Sequence, residues 1–236
     1  MKTKNIINIL YNFTFIYIII YAFFYSIKIN LFEIDRILIT GNKFLDNQTI
    51  EKLIYENIKN KNIYDIKIND LSNKLDKHSF IQCSKIYTTL PSTVAIVINE
   101  INPIILYEDS STYYLIDEKL NKIKADINAI NFFSVPILSE YDNLDKECNN
   151  LISSLIYVAK QNSQLYNSIN EIKLKDNYMF LIIDNTVVKI QRNNIKNNMI
   201  KLIEFIEETK TYKNINSYKY INLTIPNQII VKDKTI

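Results

Sequence analysis

Six side chains in this sequence could do chemistry. Glu100, Asp117 and Asp184 are possible acids or bases. A carboxylate pair could in principle cleave a glycan, one group protonating while the other attacks or activates water. Each of the three falls at an expected strand end or turn, where carboxylates are usually solvated. His78 is the one histidine. It follows an expected helix and carries no motif, which suits a solvated or capping role. Cys83 and Cys148 are the two cysteines. With His78 they number three, one short of a closed zinc site. They could pair outside the cytoplasm, or serve as small apolar fillers. The one glycine, Gly41, leaves no means of building a glycine-rich phosphate cradle. The 28 Lys and Arg against 25 Asp and Glu give a net charge of +3, without the dense basic face of a nucleic-acid binder. The chain of 236 residues is therefore expected to be no enzyme, with no cofactor, metal or small-molecule substrate.

The elements that position these residues begin with Ile6 to Ile27, 22 residues without a formal charge. At about 1.5 Å per residue this is long enough to cross a hydrocarbon core of roughly 30 Å. Ile6, Ile16, Ile19, Phe23 and Ile27 are the expected anchor residues. Lys2 and Lys4 precede the run, which places a tail of residues 1–5 in the cytoplasm and the rest outside. A cleaved signal peptide would end in a small-x-small site. Phe23-Phe24-Tyr25-Ser26 is a poor one, so an uncleaved anchor is expected. Asn8 and Asn12 share a helix face. They fit the headgroup zone or a hydrogen bond to a partner helix in lipid.

A strand is expected within Phe32 to Thr40, where Ile37 and Ile39 alternate with Leu38 and Thr40. Gly41-Asn42 ends it in a tight turn. Asp46 or Asn47 caps a helix with Ile50, Leu53, Ile54 and Ile58 on one side. A shorter helix starts at Asn69 or Asp70 and carries Leu71 and Leu75. A strand near Cys83 to Thr89 follows Phe80-Ile81. Leu90-Pro91-Ser92 turns the chain into a third strand, with Val94, Ile96 and Ile98 alternating toward Glu100. The order is β-α-α-β-β.

Beyond it, Tyr113 to Asp117 and Lys122-Ile123 read as a hairpin. A helix is expected from Leu151 to Lys160 and a strand from Ile169 to Lys175. Met179 to Ile183 and Thr186 to Ile190 form a hairpin through Asp184-Asn185, with Asn able to take positive φ. Asn194 caps a helix that turns Met199, Leu202, Ile203 and Ile206 inward. Tyr218 to Leu223 and Gln228 to Lys232 are the last two strands, with Pro226-Asn227 between them. A final strand at a sheet edge would offer unpaired N–H and C=O groups to a partner strand. Ile229 and Val231 would face one way, Ile230 and Lys232 the other.

These residues resemble the FtsQ/DivIB cell-division family and its POTRA domain. The resemblance is carried by Ile37-Leu38-Ile39-Thr40-Gly41-Asn42, Phe80-Ile81, Pro91-Ser92-Thr93-Val94 and Glu100-Ile101-Asn102-Pro103. Val135-Pro136-Ile137-Leu138, Lys201-Leu202 and the run from Tyr220 to Lys232 extend it in the right order. Ile101 stands where the family favours Arg. Leu120-Asn121 stands where it has a glycine turn after Asp117, and Asn121 is the expected left-handed residue.

The resemblance implies an α+β fold: an N-terminal transmembrane helix (6–27), a POTRA domain (32–101), then a mixed β domain (102–236) with two helices and a C-terminal edge strand. It implies a bitopic protein of the inner membrane at the division septum, with its folded domains periplasmic. Its partners would be bitopic division proteins of the FtsB/FtsL type, bound at Thr224, Ile225, Asn227 and Gln228 and along the adjoining Ile229, Ile230, Val231 and Lys232. Thr224 replaces an Arg and Ile225 an aromatic residue, which leaves backbone pairing as the main contact. The rival expectations are a POTRA protein of polypeptide transport and an anchored peptidoglycan-modifying enzyme.

Overall fold

The computed structural model describes residues 2–28, 30–140 and 144–234; the side chains of 2–10, 27 and 144–148 lie outside that description. The chain divides into two compact units, 1–101 and 102–236.

The first unit opens with helix α1 (Lys2–Lys28). The side chains of α1 are described over 11–26 and at 28. Among the described residues no helix is long and apolar enough to cross a membrane. The described run of side chains falls short of the roughly 20 that a crossing takes. Ile6, Ile27 and Asn8, named above, lie outside the described side chains.

There follow β1 (Arg36–Thr40), α2 (Asn47–Ile58), α3 (Ile68–Leu75), β2 (Ile81–Thr89) and β3 (Thr93–Glu100). Asp46 caps α2 by accepting from Thr49 N at 2.9 Å, which holds its carboxyl below the usual carboxylate range. Ile50, Ile54 and Ile58 fall on one stripe and are buried with Leu71 and Leu75 of α3. Lys67, rather than Asn69 or Asp70, stands at the cap position of α3 and makes no side-chain cap bond. The sheet order is β1-β3-β2, with β1 parallel and β2 antiparallel to the central β3. Val94, Ile96 and Ile98 alternate onto the helices and are buried.

The second unit is a nine-stranded sheet. Its elements are β4 (Pro103–Asp109), β5 (Thr112–Asp117), β6 (Lys122–Lys124), α4 (Ile127–Phe132), β7 (Ile137–Glu140), α5 (Leu144–Gln161), α6 (Ser163–Ser168), β8 (Ile169–Lys175), β9 (Tyr178–Ile183), β10 (Thr186–Gln191), α7 (Ile195–Thr209), β11 (Tyr218–Asn222) and β12 (Ile230–Asp233). The order is β12-β11-β10-β9-β8-β7-β4-β5-β6. The inward residues of β8 to β11, among them Ile172, Leu181, Val188 and Ile221, form one core with Leu151, Leu155, Met199 and Leu202 of α5 and α7.

Several expectations are corrected here. The second unit has four α-helices among the described residues where two were expected, because α4 and α6 are six residues each and too short to show a period. Helix α5 starts at Leu144 rather than Leu151. Leu120, at φ 67, takes the left-handed place expected of Asn121. Asp117 holds that turn by accepting from Lys119 N and Asn121 N at 2.9 and 2.7 Å. In the β9–β10 turn the positive φ falls on Asp184. Asn194 stands before α7, but its side chain makes no cap bond.

Candidate functional site

The outer end of the large sheet is built from β10 outward. Strand β11 lies parallel to β10, with Val187 opposite Tyr220 and Lys189 opposite Asn222. Its start is fixed by the buried Thr186 hydroxyl, 2.7 Å from Tyr218 O and 3.0 Å from Ile215 O. Its far end is fixed by Leu223 N, which donates to Lys189 O at 2.9 Å. The Gln191 side chain donates to Thr224 O at 3.1 Å. Thr224 N and its hydroxyl both donate to Asn222 Oδ1, at 3.0 and 2.8 Å. The chain then reverses through Asn227, whose φ is 58. A side-chain amide of this length tolerates that conformation better than most residues.

Strand β12 returns antiparallel to β11, with Ile230 opposite Asn222, Val231 opposite Ile221 and Lys232 opposite Tyr220. Its C-terminal end is held by an ion pair of Lys213 with Asp233 at 2.6 Å and by Lys234 N donating to Ser217 O at 3.0 Å. It is the first strand in the sheet order, and among the described residues it pairs with β11 alone. All four of its residues are exposed. Ile230 is 46% and Val231 41% exposed, on opposite faces. An edge of this kind leaves a row of backbone donors and acceptors for another strand.

The eight residues expected to bind a partner divide in two. Ile230, Val231 and Lys232 lie in β12. Thr224, Ile225, Asn227, Gln228 and Ile229 lie in the reversal before it, because the strand starts two residues later than expected and runs on to Asp233. Ile225 and Ile229 are exposed, at 37% and 36%. Thr224 is half-buried and turned toward its own sheet. Asp233, Lys213 and Lys234 escaped the sequence reading, since what pairs them is the fold and no motif marks it.

The opposite edge of the sheet is different. Strand β6 is three residues, Lys122-Ile123-Lys124, with its isoleucine buried. Lys122 sits 3.0 Å from Asp109 and 4.1 Å above the Tyr114 ring. Short strands and lysines are the usual protection of an edge against pairing.

Two of the three carboxylates considered for catalysis, Glu100 and Asp117, hold backbone instead. Glu100 accepts from Phe44 N and Leu45 N, both at 2.9 Å. Asp117 is occupied in its turn, and Asn121 Nδ2 adds a third bond at 2.8 Å. Asp184 lines a cleft of about 490 Å³ with Asn162, Ser168, Glu207 and Lys210, which has no Cys or His in its wall. Burial lowers the pKa of His78, whose Nδ1 accepts from Phe80 N at 3.4 Å. Cys83 is a free, exposed thiol rather than a core filler. Cys148 lies outside the described residues. Among the described residues no three His, Cys, Asp or Glu side chains gather to hold a metal ion.

Comparison with known proteins places these features. Residues 32–100 match the POTRA domain of the FtsQ type. The cell division protein FtsQ of Rickettsia prowazekii is 33% identical over 96 residues, 41% of this chain and 36% of the relative. The cell division protein DivIB of Clostridium acetobutylicum is 26% identical over 156 residues, 64% of this chain and 58% of the relative. The chain thus spans little over a third of the Rickettsia relative that it matches. The major extracytoplasmic domain of DivIB from Geobacillus stearothermophilus superposes with a TM-score of 0.33 at 12% identity, covering 49% of this chain and 99% of that one. The resemblance to the FtsQ/DivIB cell-division family is shown, and in the first unit it rests on the match of residues 32–100 to the FtsQ-type POTRA domain.

Proposed function

We propose, for a chain that resembles the FtsQ/DivIB cell-division proteins, a role as a bitopic scaffold that recruits other division proteins by strand addition at β12. It breaks and makes no covalent bond. Its partners are bitopic proteins of the FtsB/FtsL type, which contribute a strand to the end of the large sheet. The observation that carries this is the asymmetry of the sheet's two ends. One end buries its isoleucine and holds Lys122 against Asp109, while the other exposes the apolar Ile230 and Val231 on its outer strand.

The reading includes a membrane anchor over Ile6 to Ile27, with the folded units outside the cytoplasm at the septum. It is supported by α1 as one helix of 27 residues. Ile16, Ile19 and Phe23 are exposed, and so are Phe13, Ile18, Ile20 and Phe24 around them. A helix that is apolar all round belongs in a core or in lipid.

The test is capture of the full chain from detergent-solubilised membranes, with identification of what co-purifies. Bitopic division proteins are expected to be retained by the parent chain and lost from Ile230→Pro, since proline removes a ladder donor. Val231→Pro is run beside it, because adjacent residues of an edge strand direct their N–H groups to opposite sides. Retention of the partners by both folded variants would contradict strand addition.

A further inference from the structure

We infer that the strand-start end of the POTRA unit docks on the lipid headgroups of the same bilayer, through the exposed tips Tyr64 and Leu90. The inference rests on the proposed anchor.

The argument begins with chain length. Helix α1 ends at Lys28, and Leu31 follows three residues later, a reach of about 11 Å at most. That reach exceeds one headgroup layer, about 5–8 Å deep, by only a few ångströms. Two loops are then drawn to this point. Ile63 N donates to Phe32 O at 2.8 Å, and the Tyr64 ring packs 5.3 Å from that of Phe32. Asp35 N donates to Ser92 O at 3.2 Å, and the Ser92 hydroxyl donates to the Asp35 carboxylate at 2.6 Å. Asn30, Leu31, Pro91 and Ser92 line one depression. Three apolar side chains at this end are turned to the outside: Leu31 is 43% exposed, Tyr64 62% and Leu90 60%.

The types fit a membrane interface. Tyrosine places its ring at headgroup level and keeps its hydroxyl wet, and leucine suits the acyl boundary. Lys28, Arg36 and Lys61 are matched here by Glu33, Asp35 and Asp65. The contact is therefore apolar rather than electrostatic, and insensitive to salt. What selects a bilayer over a protein is continuity: the same end is joined to α1 by a connector too short to lift it clear. The other end of the three-stranded sheet, with Lys43 exposed beyond β1, lies about 16 Å further out.

The test uses the full chain in nanodiscs of phosphatidylethanolamine and phosphatidylglycerol, in a Cys83→Ser, Cys148→Ser background. Nitroxide labels are placed through Leu90→Cys, Tyr64→Cys, Lys43→Cys and Ile19→Cys, one at a time. Power saturation compares collision with oxygen, which partitions into lipid, and with a water-soluble nickel chelate. The oxygen-to-nickel ratio is expected to be highest at 19, and several-fold higher at 64 and 90 than at 43. Ratios at 64 or 90 equal to that at 43, with 19 still in lipid, would overturn the docking and leave the anchor standing. A ratio at 19 equal to that at 43 would remove the anchor and the docking together.

Discussion

Glu100 receives two backbone N–H groups from the turn between β1 and α2, and so ties the last residue of β3 to residues 55 and 56 positions earlier. Hydrogen bonds to a charged acceptor are worth about 1.5–3 kcal/mol. Glu100→Ala is expected to destabilise the first unit by about 2 kcal/mol, read as a lower urea midpoint. Gly41, at φ 87, closes the neighbouring turn, and a Cβ there would strike the Ile98 carbonyl oxygen. Strain of this sort costs about 1–3 kcal/mol, so Gly41→Ala should lower the midpoint comparably. In the second unit the Tyr166 hydroxyl donates to Ile104 O at 2.9 Å. Burial, with a smaller push from Glu118, raises its pKa to about 12. The unfolded chain loses this proton near pH 10 and the folded chain holds it longer. Stability from Tyr166 is therefore full below pH 10 and lost as pH rises toward 12. Tyr166→Phe should cost about 1–3 kcal/mol at neutral pH and flatten that alkaline decline. Gly41 was legible in the sequence because glycine alone has free access to positive φ. Glu100 and Tyr166 were not, because their partners are distant carbonyls and amides that no local pattern encodes.

At the scale of elements, amphipathic segments were legible and short or doubly buried ones were not. The stripe of Ile50, Ile54 and Ile58 and the alternation of Val94, Ile96 and Ile98 each state a period and a face. Strand β4 is buried along Pro103 to Tyr107 without alternation, so it shows no strand period. Strand β7 is four residues long, too short to show a period. The last hairpin was legible in kind and displaced by two residues, since the exposed β12 has no buried face to fix its register. That exposure gives a prediction. Ile221→Pro, in the inner β11, removes a fully buried side chain and should destabilise the second unit by about 2–5 kcal/mol. Ile230→Pro, in β12, should cost at most about 1 kcal/mol. Thermal unfolding of the two variants compares an inner strand with an outer one directly.

For the whole molecule, the proposed mode of action draws on both units. A unit that matches the FtsQ-type POTRA domain follows an apolar helix by a few residues, and the larger sheet leaves its last described strand at an edge. On the proposed reading, the chain acts by offering backbone to another polypeptide. Amide hydrogen exchange on the full chain, with and without a bitopic partner of the FtsB/FtsL type, measures this most directly. On binding, the amides of 230–233 are expected to exchange slower by roughly tenfold or more, as an outer ladder closes over them. A partner that binds while exchange in that strand stays unchanged would contradict the account.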